Sequence, residues 1–168
     1  ISRALDTGAQ GVLVPHISSR DEAELLARAA RFAPEGERGV CRYVRAAEFS
    51  HKDRDTYFRA ANQNTLIVAM IEGKEGAENL DEVLSVPGLD VVFGGPYDLS
   101  QTMGLTGQVR DPRVVAEMQR VTEKTRSQGL AVGTFVDDFE AARMWEQAGV
   151  QFISYSVDVG IIYAAMKD

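Results

Sequence analysis

A short run of apolar, β-favouring residues followed by a helical pattern recurs along this chain, and that rhythm leaves few folds open. The runs are Gly11–Val14, Leu66–Ile71, Val91–Phe93, Ala131–Val136 and Phe152–Tyr155. They are continuous rather than alternating, which predicts strands covered on both faces. Helical patterns fall between them, at Arg20–Phe32, Asp55–Asn62, Glu75–Ser85, Pro112–Gln128 and Asp138–Ala148. Start and stop signals support these spans: Ser19 and Asp21 before the first, Asp111-Pro112 at the head of the fourth, Gly129 and Gly149 just past two ends. Strand followed by helix, repeated, implies an α/β fold with a parallel sheet.

An open doubly wound sheet and a closed (β/α)8 barrel both satisfy that pattern. No G-x-G-x-x-G follows any of the runs, and Gly94-Gly95-Pro96 cannot replace it because Pro96 lacks an amide donor. A dinucleotide site is therefore disfavoured. A barrel of ~250 residues would leave roughly 80 residues, about three βα units, ahead of Ile1. The chain begins with Ile rather than Met, and Ile1–Gly8 reads as the last turns of a helix closed by Gly8. Nothing at the start resembles a signal peptide. The expectation is one partial barrel domain, residues 1–168, cut from something longer.

Of the 168 residues, 45% are apolar and the net charge is −7, with a pI near 4.9. Such a chain offers no basic patch to nucleic acid, and no run nears the roughly 18 apolar residues of a membrane span. Neither partner is expected. Cys41 is the sole cysteine, so there is no intrachain disulfide, and no Cys/His spacing suggests structural zinc. A reducing, cytoplasmic setting fits.

Glu72 directly follows the run ending at Ile71, where a barrel builds its active site. It also reads as a loop acid near the start of the next helix. Asp98, in Gly94-Gly95-Pro96-Tyr97-Asp98-Leu99-Ser100, reads either as a site acid or as the N-cap of a short helix. Because the two acids follow consecutive strands, they could converge on one hard cation, with water filling the remaining positions. Lys74 reads as a Schiff-base lysine or as a solvated helix-start residue. His16, after Val14-Pro15, sits where it would face the same mouth, or is structural. His51 looks incidental, Cys41 a loop filler, and Trp145, Phe139 and Met144 the buried stripe of a helix. The segment Ala33–Arg54, with Gly36, Arg38, Gly39, Arg42 and Arg45, is too long for a plain linker.

Taken in order, Val14-Pro15-His16, Gly36-x-Arg38-Gly39, Ile71-Glu72 and Gly95-Pro96-x-Asp98-Leu99-Ser100 resemble the metal-dependent pyruvate aldolases of the HpcH/HpaI type, in the phosphoenolpyruvate/pyruvate barrel group. The likeness runs over essentially the whole chain and implies strands 4 to 8 of a TIM (β/α)8 barrel. It implies a carbon–carbon lyase that cleaves a 4-hydroxy-2-oxoacid to pyruvate and an aldehyde through a metal-stabilised pyruvate enolate. Glu72 and Asp98 would hold Mg2+, Mn2+ or Co2+, and the amides of Tyr97 and Asp98 would receive the pyruvate carboxylate. Gly95, Pro96, Tyr97, Asp98 and Phe135 form the expected substrate-binding set, with His16, Arg42 and Met70 as further candidates. Met70 stands where relatives often carry glutamine. The family's catalytic arginine and His/Asp pair belong to the first three strands, so no acid–base residue is expected here and this chain alone is expected to be inactive. A homo-oligomer, a hexamer by resemblance, is implied, with Asp158–Met166 opening its last helix. Two alternatives stand beside this reading: a CoA-ester lyase of the citrate lyase β-subunit type, and a non-catalytic partial barrel.

Overall fold

The computed structural model describes residues 1–167; Asp168 lies outside the described residues. Its elements run α1 (Ser2–Asp6), β1 (Gly11–Val14), α2 (Arg20–Ala30), a 3-10 segment (Arg45–Ser50), α3 (Arg54–Asn64), β2 (Leu66–Ile71), α4 (Lys74–Glu78), α5 (Leu80–Leu84) and β3 (Val91–Gly94). They continue with α6 (Pro96–Thr102), α7 (Pro112–Ser127), β4 (Ala131–Val136), α8 (Phe139–Gln147), β5 (Phe152–Tyr155) and α9 (Asp158–Ala165). The strands lie in chain order β1-β2-β3-β4-β5, every neighbouring pair parallel, as half of a barrel wall.

Continuous apolar runs arise because both faces of the sheet are covered. Successive side chains point to opposite faces. Ile67, Ala69, Ile71 and Val92 pack against Leu26, Leu80 and Val83 of the helices. Val132 and Val136 meet Leu99, Val114, Met118 and Trp145 in a second cluster. The alternate residues Val68, Met70, Val91, Phe93, Ala131 and Phe135 join one another on the inner face. Fully burying an aliphatic side chain is worth about 1.5–3 kcal/mol, so these clusters dominate the fold's stability. β3 is buried at every position, whereas β1 and β5, at the edges, are partly open.

Helix boundaries differ from the sequence pattern where side-chain contacts intervene. Glu75–Ser85 is not one helix but two, α4 and α5, broken at Asn79, whose backbone leaves the helical region and whose Nδ2 donates to Ser18 O at 2.9 Å. α2 stops at Ala30 rather than Phe32: Arg31 turns extended, and the Phe32 amide bonds Asn62 Oδ1 at 2.7 Å. α3 starts one residue early, capped by Asp53 on the Thr56 amide, and runs to Asn64. At the opening end, α1 is closed as expected, with Gly8 at φ +98°. The stripe assigned to α8 is corrected: Trp145 is buried, but Phe139 is 72% and Met144 37% exposed, because that side of α8 opens into a surface hollow with Glu140, Arg143 and Gln147.

The long segment between α2 and α3 is built, not slack. Arg38 is buried, bonded to Asp6 at 2.8 Å and stacked over Phe32 at 4.4 Å. Arg42 donates to the carbonyls of Ser50 and Lys52 and so braces the loop from within. Among the described residues, no helix is long and apolar enough to cross a membrane.

Candidate functional site

The inner face of the sheet ends, at the C-terminal ends of the strands, in a hollow of about 290 Å³. Leu13, Met70, Glu72, Phe93, Gly95, Phe135 and Ser154 come to it from the five strands or directly after them, joined by Pro96, Tyr97 and Asp98 at the start of α6. The two-residue alternation produces this set: Met70 on β2 and Glu72 just after it share a face, as do Phe93 on β3 and Gly95 just after it.

Glu72 is only 4% exposed, although a carboxylate is costly to bury. One of its oxygens, Oε1, accepts the His16 amide at 3.0 Å and lies 3.1 Å from His16 Nδ1. That amide is aimed by an uncommon backbone: His16 adopts φ +57°, a left-handed conformation sparsely populated outside glycine. The other oxygen, Oε2, faces Gly95. A Cβ on Gly95 would stand 2.6 Å from Glu72 Cβ and 2.7 Å from Oε2, so the carboxylate fits there because residue 95 has no side chain. The neighbouring Gly94 meets a different constraint, since a Cβ there would lie 2.6 Å from Met118 Cε of α7.

Burial pushes the Glu72 carboxyl above its ordinary value of 4.5, the His16 amide opposes that rise, and the like charge of Asp98 adds to it. The two carboxylates are thus near enough to feel one another in a partly dry hollow. Asp98 itself is exposed. It is not the N-cap of its helix: Gly95 takes that place, Pro96 opens the first turn, and Asp98 lies within it. The amides of Tyr97 and Asp98, in the first turn of α6, have no intrahelical carbonyl to reach.

Of the residues singled out from sequence, Met70, Glu72, Gly95, Pro96, Tyr97, Asp98 and Phe135 come together here, and His16 touches Glu72. Arg42 does not; it serves the loop. Lys74 is the solvated helix-start residue, its side chain 70% exposed and 3.6 Å from Glu78. Leu13, Phe93 and Ser154 were not singled out, yet counting back by two from the strand ends would have found Phe93. Asp137 was also missed; the Tyr97 hydroxyl bonds its Oδ2 across the rim.

A family model described as HpcH/HpaI aldolase/citrate lyase matches residues 1–165. The chain belongs to that family. Among curated HpcH/HpaI relatives, it is 36% identical over 163 residues to the hydroxypyruvate/pyruvate aldolase of Roseobacter denitrificans, covering 96% of this chain and 63% of that protein. It is 34% identical over 167 residues to the 4-hydroxy-2-oxo-heptane-1,7-dioate aldolase of Escherichia coli, covering 99% of this chain and 63% of the relative. A crystal structure of an HpcH/HpaI aldolase/citrate lyase family protein from Burkholderia cenocepacia superposes with TM-score 0.92 at 36% identity, over 99% of this chain and 65% of that one. The chain therefore spans a little under two thirds of the length of these HpcH/HpaI relatives.

Proposed function

We propose that this chain supplies the metal-holding part, strands 4 to 8 of the barrel, of a class II aldolase that cleaves a 4-hydroxy-2-oxoacid to pyruvate and an aldehyde. The observation that carries the reading is the convergence of Glu72 and Asp98, from the ends of consecutive strands, in one hollow on the inner face. Family membership and two relatives named as aldolases support the reaction class.

The donor set fits a hard divalent cation. Two carboxylates offer oxygen ligands, and among the described residues no group of three or more His, Cys, Asp or Glu side chains is arranged to hold a metal. That composition suits Mg2+, Mn2+ or Co2+, which keep water or substrate oxygens in the remaining positions, and does not suit a closed structural zinc site. Bound there, the cation would act as a Lewis acid where negative charge develops on the oxoacid.

The chain's own residues have separate tasks in this reading. His16 fixes one oxygen of Glu72, so the carboxylate is aimed before anything binds. Gly95 leaves room for Oε2. The amides of Tyr97 and Asp98, at the start of α6, receive the substrate carboxylate. Phe93, Phe135 and Leu13 give the hollow apolar walls that limit water around the reacting atoms. We assign proton transfer to groups of the whole protein outside this chain. The same reading assigns self-association, supported by α9, where Val159, Ile161, Ile162 and Tyr163 are at least half exposed; sedimentation of the whole protein as a stable dilute monomer would contradict it.

Glu72→Gln in the whole protein keeps size and hydrogen bonding but removes the charge. Mn2+-dependent pyruvate release from a 4-hydroxy-2-oxoacid is expected to disappear. Unchanged turnover would sink the assignment, and release from an acyl-CoA substrate instead would point to the thioester-cleaving branch.

A further inference from the structure

Beside the two carboxylates, the rim carries a second arrangement that has no part in holding a cation. The Tyr97 hydroxyl donates to Asp137 Oδ2, joining the first turn of α6 to the residue that follows β4. The Tyr97 ring stands edge-on to Phe135, centroids 6.2 Å apart, and both rings line the hollow that holds Glu72 and Asp98. Arg110 does not neutralise Asp137: its guanidinium is taken by Asp138 at 2.7 Å and Glu140 at 3.3 Å. Among the described residues, no cation pairs with Asp137, and the lining includes no Lys, Arg or His.

We propose that the Tyr97–Phe135 wall, clasped by Asp137, selects the aldehyde partner, favouring a small uncharged acceptor and disfavouring one whose far end carries a carboxylate. The inference rests on the aldolase reading above. In the aldol direction the pyruvate methyl loses a proton, its carbon bonds to the aldehyde carbonyl carbon, and the aldehyde oxygen takes up a proton. In that reading Glu72 and Asp98 would hold a cation that takes the oxoacid, and the Tyr97 and Asp98 amides would receive the oxoacid's carboxylate. Where the acceptor approaches on this chain's side, it meets what remains of the lining. On the β3–β4 side that is the edge and face of two aromatic rings, an apolar surface. Beyond them lies a carboxylate whose partner is a neutral hydroxyl, so an acidic acceptor meets like charge.

Size matters because the wall is pinned. Swinging the Tyr97 ring aside would break a charge-assisted hydrogen bond, the stronger kind.

The test uses the whole protein loaded with Mn2+ and compares kcat/KM for pyruvate addition to butanal, to succinic semialdehyde and to phenylacetaldehyde. The unaltered protein is expected to favour butanal over succinic semialdehyde by at least about tenfold. Tyr97→Ala should raise phenylacetaldehyde relative to butanal by about tenfold, with Tyr97→Phe, which keeps the ring and loses the clasp, in between. Asp137→Asn should narrow the gap between the neutral and the acidic aldehyde. Ratios between acceptors on one preparation cancel any loss of folded enzyme. Equal or better use of succinic semialdehyde by the unaltered protein, or a size ratio that Tyr97→Ala leaves unmoved, would overturn the proposal. Failure of the aldolase reading looks different: no carbon–carbon bond forms with any of the three.

Discussion

At the N-terminal ends of β2 and β3, Asp90 accepts the Ile67 amide at 2.8 Å and lies 3.5 Å from Arg31, whose guanidinium also donates to the carbonyls of Asn62 and Thr65. At the C-terminal ends of the same two strands, Glu72 is nearly sealed from solvent with one oxygen held, the other against Gly95, and the like charge of Asp98 nearby. Both ends place a charged group beside the barrel wall. The lower one closes its charges on the protein's own backbone, which is how a structural polar network is stabilised. The upper one leaves a costly carboxylate incompletely satisfied, and such a site makes physical sense when a ligand completes it. Cavity size points the other way. The larger hollow, about 780 Å³, lies at the lower end among Gln10, Tyr57 and Thr65, against about 290 Å³ at the upper. Chemistry of the lining, not volume, separates the two.

The contrast breaks most sharply at Gly95. Gly95→Ala puts a methyl group where Glu72 now stands, and a displacement of that order is expected to lower kcat by about 100-fold or more, with Mn2+ affinity falling alongside. Steady-state kinetics and calorimetric titration with Mn2+ check it; wild-type values in both would mean the hollow's geometry is irrelevant to function. Arg31→Met probes the other end. It leaves the Asn62 and Thr65 carbonyls and Asp90 without their partner, and a loss of about 3 kcal/mol in urea denaturation is expected, with Mn2+ affinity unchanged. A fall in affinity as large as that in stability would show that the ends are not independent.

The smallest effect concerns a device common to both ends. Asp53, lining the lower hollow, and Asp138, at the upper rim, cap helices by accepting the amides of Thr56 and Ala141, and those bonds hold both carboxyls below 3.8. A lowered folded value means the contribution is complete above 3.8 and is lost as pH falls through that lowered value. Asn at both positions keeps an acceptor and removes the titration. The double variant should show a flatter acid limb below pH 3.8 in denaturation; a steep limb that survives would place the acid sensitivity elsewhere.

All five strands were legible because their runs are apolar on both faces, and only a wall covered on both sides demands that. Glu72 and Asp98 were legible as acids placed just past strand ends. What escaped depends on distant atoms. The break at Asn79 follows from its bond to Ser18, and the exposure of Phe139 and Met144 from what does not cover α8. The hold of His16 on Glu72 runs through a backbone amide aimed by a positive φ, and no side-chain pattern encodes it. The Tyr97–Asp137 bond joins residues forty positions apart that share no motif.

Gly94 and Gly95 are crowded from opposite directions, the first by Met118 on the helix layer, the second by Glu72 on the inner face. The backbone there is a partition one peptide thick, with the flexible end of Met118 on one side and the Glu72 side chain on the other. A bulkier residue at position 118, on a helix that never reaches the hollow, would therefore be transmitted through that partition to the carboxylate. Enlarging this buried position of α7 is expected, on the proposed reading, to change metal affinity before it changes the fold.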